Sequence, residues 1–406
     1  MKKALSAGLL ALAAVLMFAP PLHAADFGAL VNGQFEAKDG SQPSGGDTKT
    51  TGALVIAPWV TVPVGEGDFY LSAGVNMSFE DKTVVAPELF RLEYSSDPAS
   101  LVSLRLGRIN WQDPSRLVAK GFFDGADVAF NLGRVKLGVM GLYTGFQYRE
   151  TAEINISPTD TTGKKYDGAT FEWDDFDSYF APRRVLAGIY GEFPGFPAGR
   201  GHLYAGLLAQ FDLSDADEAF HTQYLLLRHT LAYKAFDLTV AGAAELENTE
   251  EEGIKAAFAF SLEGGVQLSG AIRDRLSLGV SWASGEGDTA AFFPIVREVQ
   301  GHALQPYFSG LMVLKAKYEA RLLPSLSADI GGRYYIRNDA TSFKDPYLED
   351  ESYPLGLELG AGLLWAPLSD LSFSLRGGVF LPKTGTAWAD DTPVRWIVTA
   401  GTIISF

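Results

Sequence analysis

The sequence predicts an all-β fold: a transmembrane antiparallel up-and-down β-barrel of about 18 strands, with 16 as the alternative. Three observations carry this. Apolar and polar side chains alternate in runs of about ten residues, long enough for a tilted strand to cross a bilayer. Short and long connections alternate strictly along the chain. An export signal comes first, and no later stretch is long and apolar enough to cross a membrane as a helix.

Composition narrows the classes further. Acidic residues outnumber basic ones, 49 to 33, for a formal charge of -16, which argues against nucleic acid as the partner because phosphate binding needs a dense basic face. Cysteine is absent, which excludes disulfides, thiolate metal sites and cysteine nucleophiles. Glycine is abundant, at 44 of 406 residues, as suits curved sheets.

In chain order, Lys2 and Lys3 precede an uncharged apolar stretch from Leu5 to Phe18, then Pro20 and Pro21, then a small residue at Ala24. This is the layout of a secretory signal peptide over 1–24, too short for a membrane span, with the mature chain starting at Ala25. Residues 25–406 then read as a single barrel domain. The first strand places Phe27, Ala29, Val31, Gly33 and Phe35 on one face and Asn32, Gln34 and Glu36 on the other. The same phase recurs from Asp68 to Glu80 and again from Leu326 to Arg337. A soluble β-sandwich also alternates but needs strands of only about six residues, and a β-helix needs a short fixed repeat that is missing here.

Short turns fall at 64–67, 97–99, 133–134, 194–201, 234–237, 272–275, 323–325 and 367–370. Most contain Gly, Pro, Asp or Ser, as tight turns require. Longer polar connections fall between them, at 38–50, 80–85, 111–121, 146–182, 212–218, 247–253, 284–304, 338–354 and 382–392. Eight short and nine long connections give the strand count, and their asymmetry is that of short periplasmic turns and long extracellular loops.

The last strand, 393–406, carries Trp396, Val398, Ala400, Thr402, Ile404 and Phe406 on one face. Such a strand, ending in Phe, resembles the assembly signal of bacterial outer-membrane β-barrel proteins, and with the export signal and the alternation the likeness covers the whole mature chain. The resemblance implies a diderm bacterium, location in the cell outer membrane, contact with outer-membrane lipid, and recognition of the strand ending in Phe406 by the barrel-assembly machinery. A narrower stretch, LRLGRINWQDPSRLVAKGFFDGADVAF at 104–130, is similar to 18-stranded porin-like channels such as the alginate-export type. No substrate or binding residue is carried over from it.

With the apolar phase toward lipid, the opposite phase faces the lumen. Its charges include Arg91, Glu93, Arg105, Asp127, Glu245, Glu263, Lys315, Lys317, Glu319, Arg321, Arg333, Arg337, Glu358, Arg376 and Arg395. An Arg or Lys held toward lipid at the midplane costs ~2–4 kcal/mol, so this many charges on one phase predicts a wet interior. Basic residues gather from Lys315 to Arg395 and at Arg91 and Arg105, and acidic ones between Asp127 and Glu263, sketching a basic wall opposite a partly acidic one. The longest connection, 146–182, mixes aromatics and acids, and Trp173, Asp174, Asp175, Asp177 and Tyr179 are its candidate constriction residues.

No enzyme motif is present: no G-x-S-x-G, H-E-x-x-H or phosphate loop surrounds the few histidines. The acidic clusters at 212–218 and 250–252 lack the spacing of a calcium loop, so no metal or cofactor is expected. The first strand starts too soon after the cleavage point for a plug domain. These readings converge on a porin-like channel for passive diffusion of small hydrophilic solutes, anions among them, with fixed charges biasing which ions pass. The rivals are a barrel hydrolase and a surface adhesin.

Overall fold

The computed structural model describes residues 25–40, 46–80, 83–155, 173, 179–197, 199–213, 220–249, 253–270, 272–297, 299–340, 348, 353–390 and 392–406. Eighteen strands form one sheet: β1 (Asp26–Gly40), β2 (Gly46–Val64), β3 (Gly67–Phe79), β4 (Thr83–Ser96), β5 (Val102–Gln112), β6 (Lys120–Asn131), β7 (Lys136–Tyr143), β8 (Arg184–Pro194), β9 (Gly201–Asp212), β10 (His221–Tyr233), β11 (Phe236–Thr249), β12 (Gly253–Leu268), β13 (Arg273–Ala283), β14 (Leu311–Leu323), β15 (Leu326–Arg337), β16 (Pro354–Leu368), β17 (Leu371–Pro382) and β18 (Arg395–Ser405). One helical turn, α1 (Arg149–Ala152), interrupts the β7–β8 connection.

Each strand pairs antiparallel with its sequence neighbours, and β1 pairs with β18, Val31 opposite Ile404, which closes the sheet. Closure leaves no sheet edge between first and last strand, as a hydrocarbon environment demands. The short connections lie at one end with both termini and the long ones at the other. The 18-strand count and the turn asymmetry expected from the sequence therefore stand.

Period-two alternation sorts the faces. Along β10, Leu225 and Leu227 are exposed on the outside while Tyr224 and Leu226 are buried inside. The outer surface carries a belt of exposed apolar side chains, including Val139, Ile189, Leu238, Phe260, Leu278, Ile330, Leu359 and Leu375. An apolar surface of this extent is the mark of a protein solvated by lipid.

One strand contact departs from the pattern. The β4–β5 ladder holds three residue pairs, from Glu93–Gly107 to Ser95–Arg105, whereas every other neighbouring pair of strands holds at least eight. The reason is legible in β5. Its outward phase runs Val102, Leu104, Leu106 and then turns polar at Arg108, Asn110 and Gln112. Continuing straight would aim Arg108 at lipid, at the ~2–4 kcal/mol a midplane cation costs. The chain bends at Gly107, whose φ of +99° a side chain would resist. The upper part of the β5–β6 hairpin thereby leans into the barrel. As a consequence, the inward guanidinium of Arg91 on β4 stacks over Phe122, on the outward phase of β6, at 5.0 Å.

Candidate functional site

The lumen is narrowed by two connections that cross it. At the tip of the bent hairpin, residues 113–119 form a compact turn around the buried carboxylate of Asp113. It accepts hydrogen bonds from Ser115 Oγ (2.5 Å) and from the backbone N–H groups of Arg116 (2.8 Å), Val118 (3.1 Å) and Ala119 (2.8 Å). Burial pushes this carboxyl above its ordinary range, and the four donors oppose that shift. Inside the barrel the tip reaches β9, three strands along from β6: a Cβ added at Gly206 would lie 3.0 Å from Pro114 Cγ.

The second crossing is the β13–β14 connection, residues 284–310. At one end, Phe293 N–H donates to Glu245 Oε2 on β11 (2.8 Å), and Tyr224 Oη on β10 donates to the Phe293 carbonyl (2.6 Å). In mid-lumen it meets the other connections, with Val296 N–H on the Val118 carbonyl (3.1 Å) and Asn155 N–H on the Ile295 carbonyl (2.9 Å). At the far end the Glu358 carboxylate of β16 accepts the N–H groups of His302, Ala303 and Leu304 at 2.9, 3.0 and 3.1 Å. Burial beside Arg376 holds the His302 imidazole below its ordinary pKa.

An apolar core inside the barrel holds these connections in place. Ile109, Phe123, Leu186, Leu208 and Leu226 from the wall pack with Phe292, Ile295, Val296 and Phe308 from residues 284–310. Sequence reasoning that assigned the inner phase to water missed this core. The signal lay in the places where alternation fails, such as the unbroken apolar run Leu225-Leu226-Leu227, which buries one face in lipid and the other under a loop.

Below the core the lumen face is charged and wet. One chain of contacts crosses β5 to β10. Arg105 pairs with Asp127 at 2.5 Å, Tyr190 Oη donates to Asp127 at 2.9 Å, and Lys136 lies 5.9 Å from the Tyr190 ring centre. Lys136 also pairs with Glu192 at 3.1 Å, His202 stands 3.8 Å from Glu192 and stacks on Tyr204, and Arg228 lies over the Tyr204 ring. A second network centres on Arg275, which meets Asp237 at 2.6 Å, Glu263 at 3.2 Å and Glu319 at 3.5 Å, while Lys317 meets Glu319 at 2.8 Å. Arg275, Arg228 and the exposed Arg116 were not among the sequence candidates. Arg275 falls in the stretch 272–275 that reads as a turn, and Arg116 in a hairpin whose inward bend alternation does not report.

The remaining candidates are placed as follows. Arg91 pairs with Glu93 and lies over Tyr70 at 4.7 Å. Lys315 donates to Gln300 Oε1 at 2.9 Å, and Arg333 meets Glu358 at 3.0 Å. Arg337 is buried, and Arg395 lies over the Trp388 ring at 5.2 Å. Arg376 sits opposite Thr399 on β18, beside His302. Of the candidate constriction residues, Trp173 donates its Nε1 proton to the Val85 carbonyl (2.9 Å), and Tyr179 stacks on Tyr148 against Ala86. Both therefore lie on the β4 side of the barrel. Asp174, Asp175 and Asp177 fall outside the described residues. Among the described residues, no group of His, Asp and Glu is arranged to hold a metal ion.

This geometry has close counterparts among solved structures. Pseudomonas aeruginosa OccK9 (OpdG) superposes with a TM-score of 0.61 at 12% identity, covering 95% of this chain and 99% of that one. The chain has the fold of these barrels. P. aeruginosa OccK2 (OpdF) in complex with glucuronate matches at TM-score 0.59 and 13% identity, over 94% and 98% of the two chains. Acinetobacter baumannii OccAB2 matches at 0.59 and 11%, over 94% and 98%. No protein-family model and no curated protein matches the sequence.

Proposed function

We propose that the protein is an outer-membrane porin through which small hydrophilic solutes cross by passive diffusion, with carboxylate-bearing anions such as sugar acids favoured. The observation that carries this reading is the hydration of the inner face. Glu263, Lys317 and Arg333 keep side-chain exposures of 50%, 45% and 39% although they point into a closed barrel. Charges so placed belong to a water-filled passage. The two crossing connections narrow it, and Lys315, Lys317, Arg333 and Arg376 line the side next to them. Fixed cations around a narrowing raise the local concentration of anions. The solved barrels of the same fold are outer-membrane porins, and one was captured with glucuronate, an anion of the proposed class.

The same reading assigns residues 1–24 to a signal peptide removed on export, and the strand ending in Phe406 to recognition by the assembly machinery. It gives the protein a transport role and no catalytic one. Planar-bilayer recording tests it. Purified protein should show ohmic conductance in symmetric KCl, with glucuronate reducing the current on the microsecond to millisecond scale. A barrel without conductance, or with one indifferent to solute charge, would overturn the reading.

A further inference from the structure

We propose that the break between β4 and β5 is a lateral portal, a second way into the lumen for single-chain amphiphiles of no net charge dissolved in the surrounding bilayer. The proposal rests on the membrane-embedded reading of the barrel but not on the solute preference of the axial passage.

The strand edges at the break are finished by side chains. Arg105 Nη1 donates to the Asn110 carbonyl on the β5 edge at 2.9 Å, and Trp173 Nε1 to the Val85 carbonyl on the β4 edge at 2.9 Å. A carbonyl left bare in hydrocarbon costs several kcal/mol, so these donors make a standing gap tolerable where a frayed ladder would re-pair.

The lips are apolar and the floor is polar. Phe90 and Leu92 on the outer face of β4, and Phe146 and Trp173 from the β7–β8 connection, are all exposed large side chains. Behind them Asn110 and Gln112 are exposed, and Arg108 is held by two 2.8 Å hydrogen bonds to Asp124. Three arginines around the opening each have an acid: Arg91 with Glu93, Arg105 with Asp127, Arg108 with Asp124. The floor thus offers amide and ion-pair hydrogen bonding, with these guanidinium charges matched by carboxylates. That chemistry takes a neutral head bearing hydroxyl or amide groups and leaves the alkyl chain against the lips.

A route leads onward from the portal. Arg91 lies between the Tyr70 and Phe122 rings, and Trp59 stacks on Tyr70 with centroids 6.3 Å apart. These ring faces run down the inner surface of β2 to β4 toward the end where Trp59 adjoins Gly28 and the Phe406 carbonyl. The crossing connections pack on the opposite face of the bent hairpin, against Ile109, Trp111 and Phe123. The route therefore passes behind the constriction.

The chain has no cysteine, so single-cysteine variants report cleanly. Full-length Asn110→Cys, Gln112→Cys, Val139→Cys and Thr239→Cys proteins would be labelled with bimane and reconstituted in phosphatidylcholine vesicles. Heat-modifiable gel mobility selects folded protein. Acyl-chain nitroxide lipid and aqueous iodide then serve as quenchers. The expected result is that the 110 and 112 probes respond to both, the outward 139 probe to nitroxide alone, and the luminal 239 probe to iodide alone. Monodecanoylglycerol should shift the 110 and 112 signals saturably, and decanoate about tenfold more weakly, because the arginines there are already matched by carboxylates. Quenching of both floor probes by iodide alone, or equal responses to the two amphiphiles, would overturn the portal. Ion conductance of the same proteins reads the axial passage separately.

Discussion

Arg333 Nη1 and Glu358 Oε1 lie 3.0 Å apart across the β15–β16 ladder, and the same carboxylate holds three successive backbone N–H groups of the lumen-crossing connection. Glu358 is fully buried, so a wall residue becomes the far anchor of the strap that narrows the barrel. Hydrogen bonds to a charged group contribute about 1.5–3 kcal/mol each, which makes this anchor a strong one.

Glu358→Ala should release the strap end while leaving the strands paired. The expected outcome is a larger and noisier single-channel conductance, with the folded barrel still migrating as such on unheated gels. Arg333→Gln, which leaves the three N–H bonds in place, should change selectivity with little added noise.

Arg275 bridges three carboxylates at once, those of Asp237, Glu263 and Glu319. Arg275→Ala should make that stretch of wall more acidic. One charge at 4 Å is worth ~1 kcal/mol in water, so the anion-to-cation permeability ratio should fall about fivefold. Reversal potentials in a KCl gradient measure it, and an unchanged ratio would place the network away from the ion path.

The strap is also held by packing. Ile295 and Phe292 are fully buried among wall residues. Ile295→Ala should cost ~2–5 kcal/mol of local stability through the cavity it leaves. Hydrogen exchange should report this as faster exchange confined to residues 284–310 and the 113–119 turn, with the β-ladders unchanged.

His302 gives a pH dependence of known sign. Its pKa is lowered by burial beside Arg376, so the folded protein binds the proton less readily than the unfolded chain. Stability of the strap end is therefore complete above the unfolded histidine value of about 6.5 and declines as pH falls below it. Channel noise should rise as pH falls below that value. His302→Gln should flatten the profile, and a slope that persisted in this variant would assign the effect elsewhere.

The barrel itself was open to reading from the chain because its cause is local. A strand in lipid must alternate, as Phe27 to Phe35 and Trp396 to Ile404 do, and closure follows from the need to satisfy every backbone group. Turn residues at 64–67 and 323–325 fix the hairpins in the same local way. The inner phase of Arg105, Lys317 and Arg333 follows from that alternation alone.

Tertiary structure decided what fills the lumen. Alternation assigns Leu186, Leu208 and Leu226 to the inside without saying that Phe292 and Ile295, from a connection beyond β13, come to cover them. Nor does spacing reveal that Glu358 reaches residues 302–304 or that Arg275 gathers acids from three other strands. Such contacts join residues far apart in sequence, and their energies come from burial and charge pairing that exist only once the sheet has closed. From the sequence alone came the wall, a count of about 18 strands with 16 as the alternative, and the charged inner phase. The shape of the passage was left to long-range packing, because a loop has no periodicity to declare where it will lie.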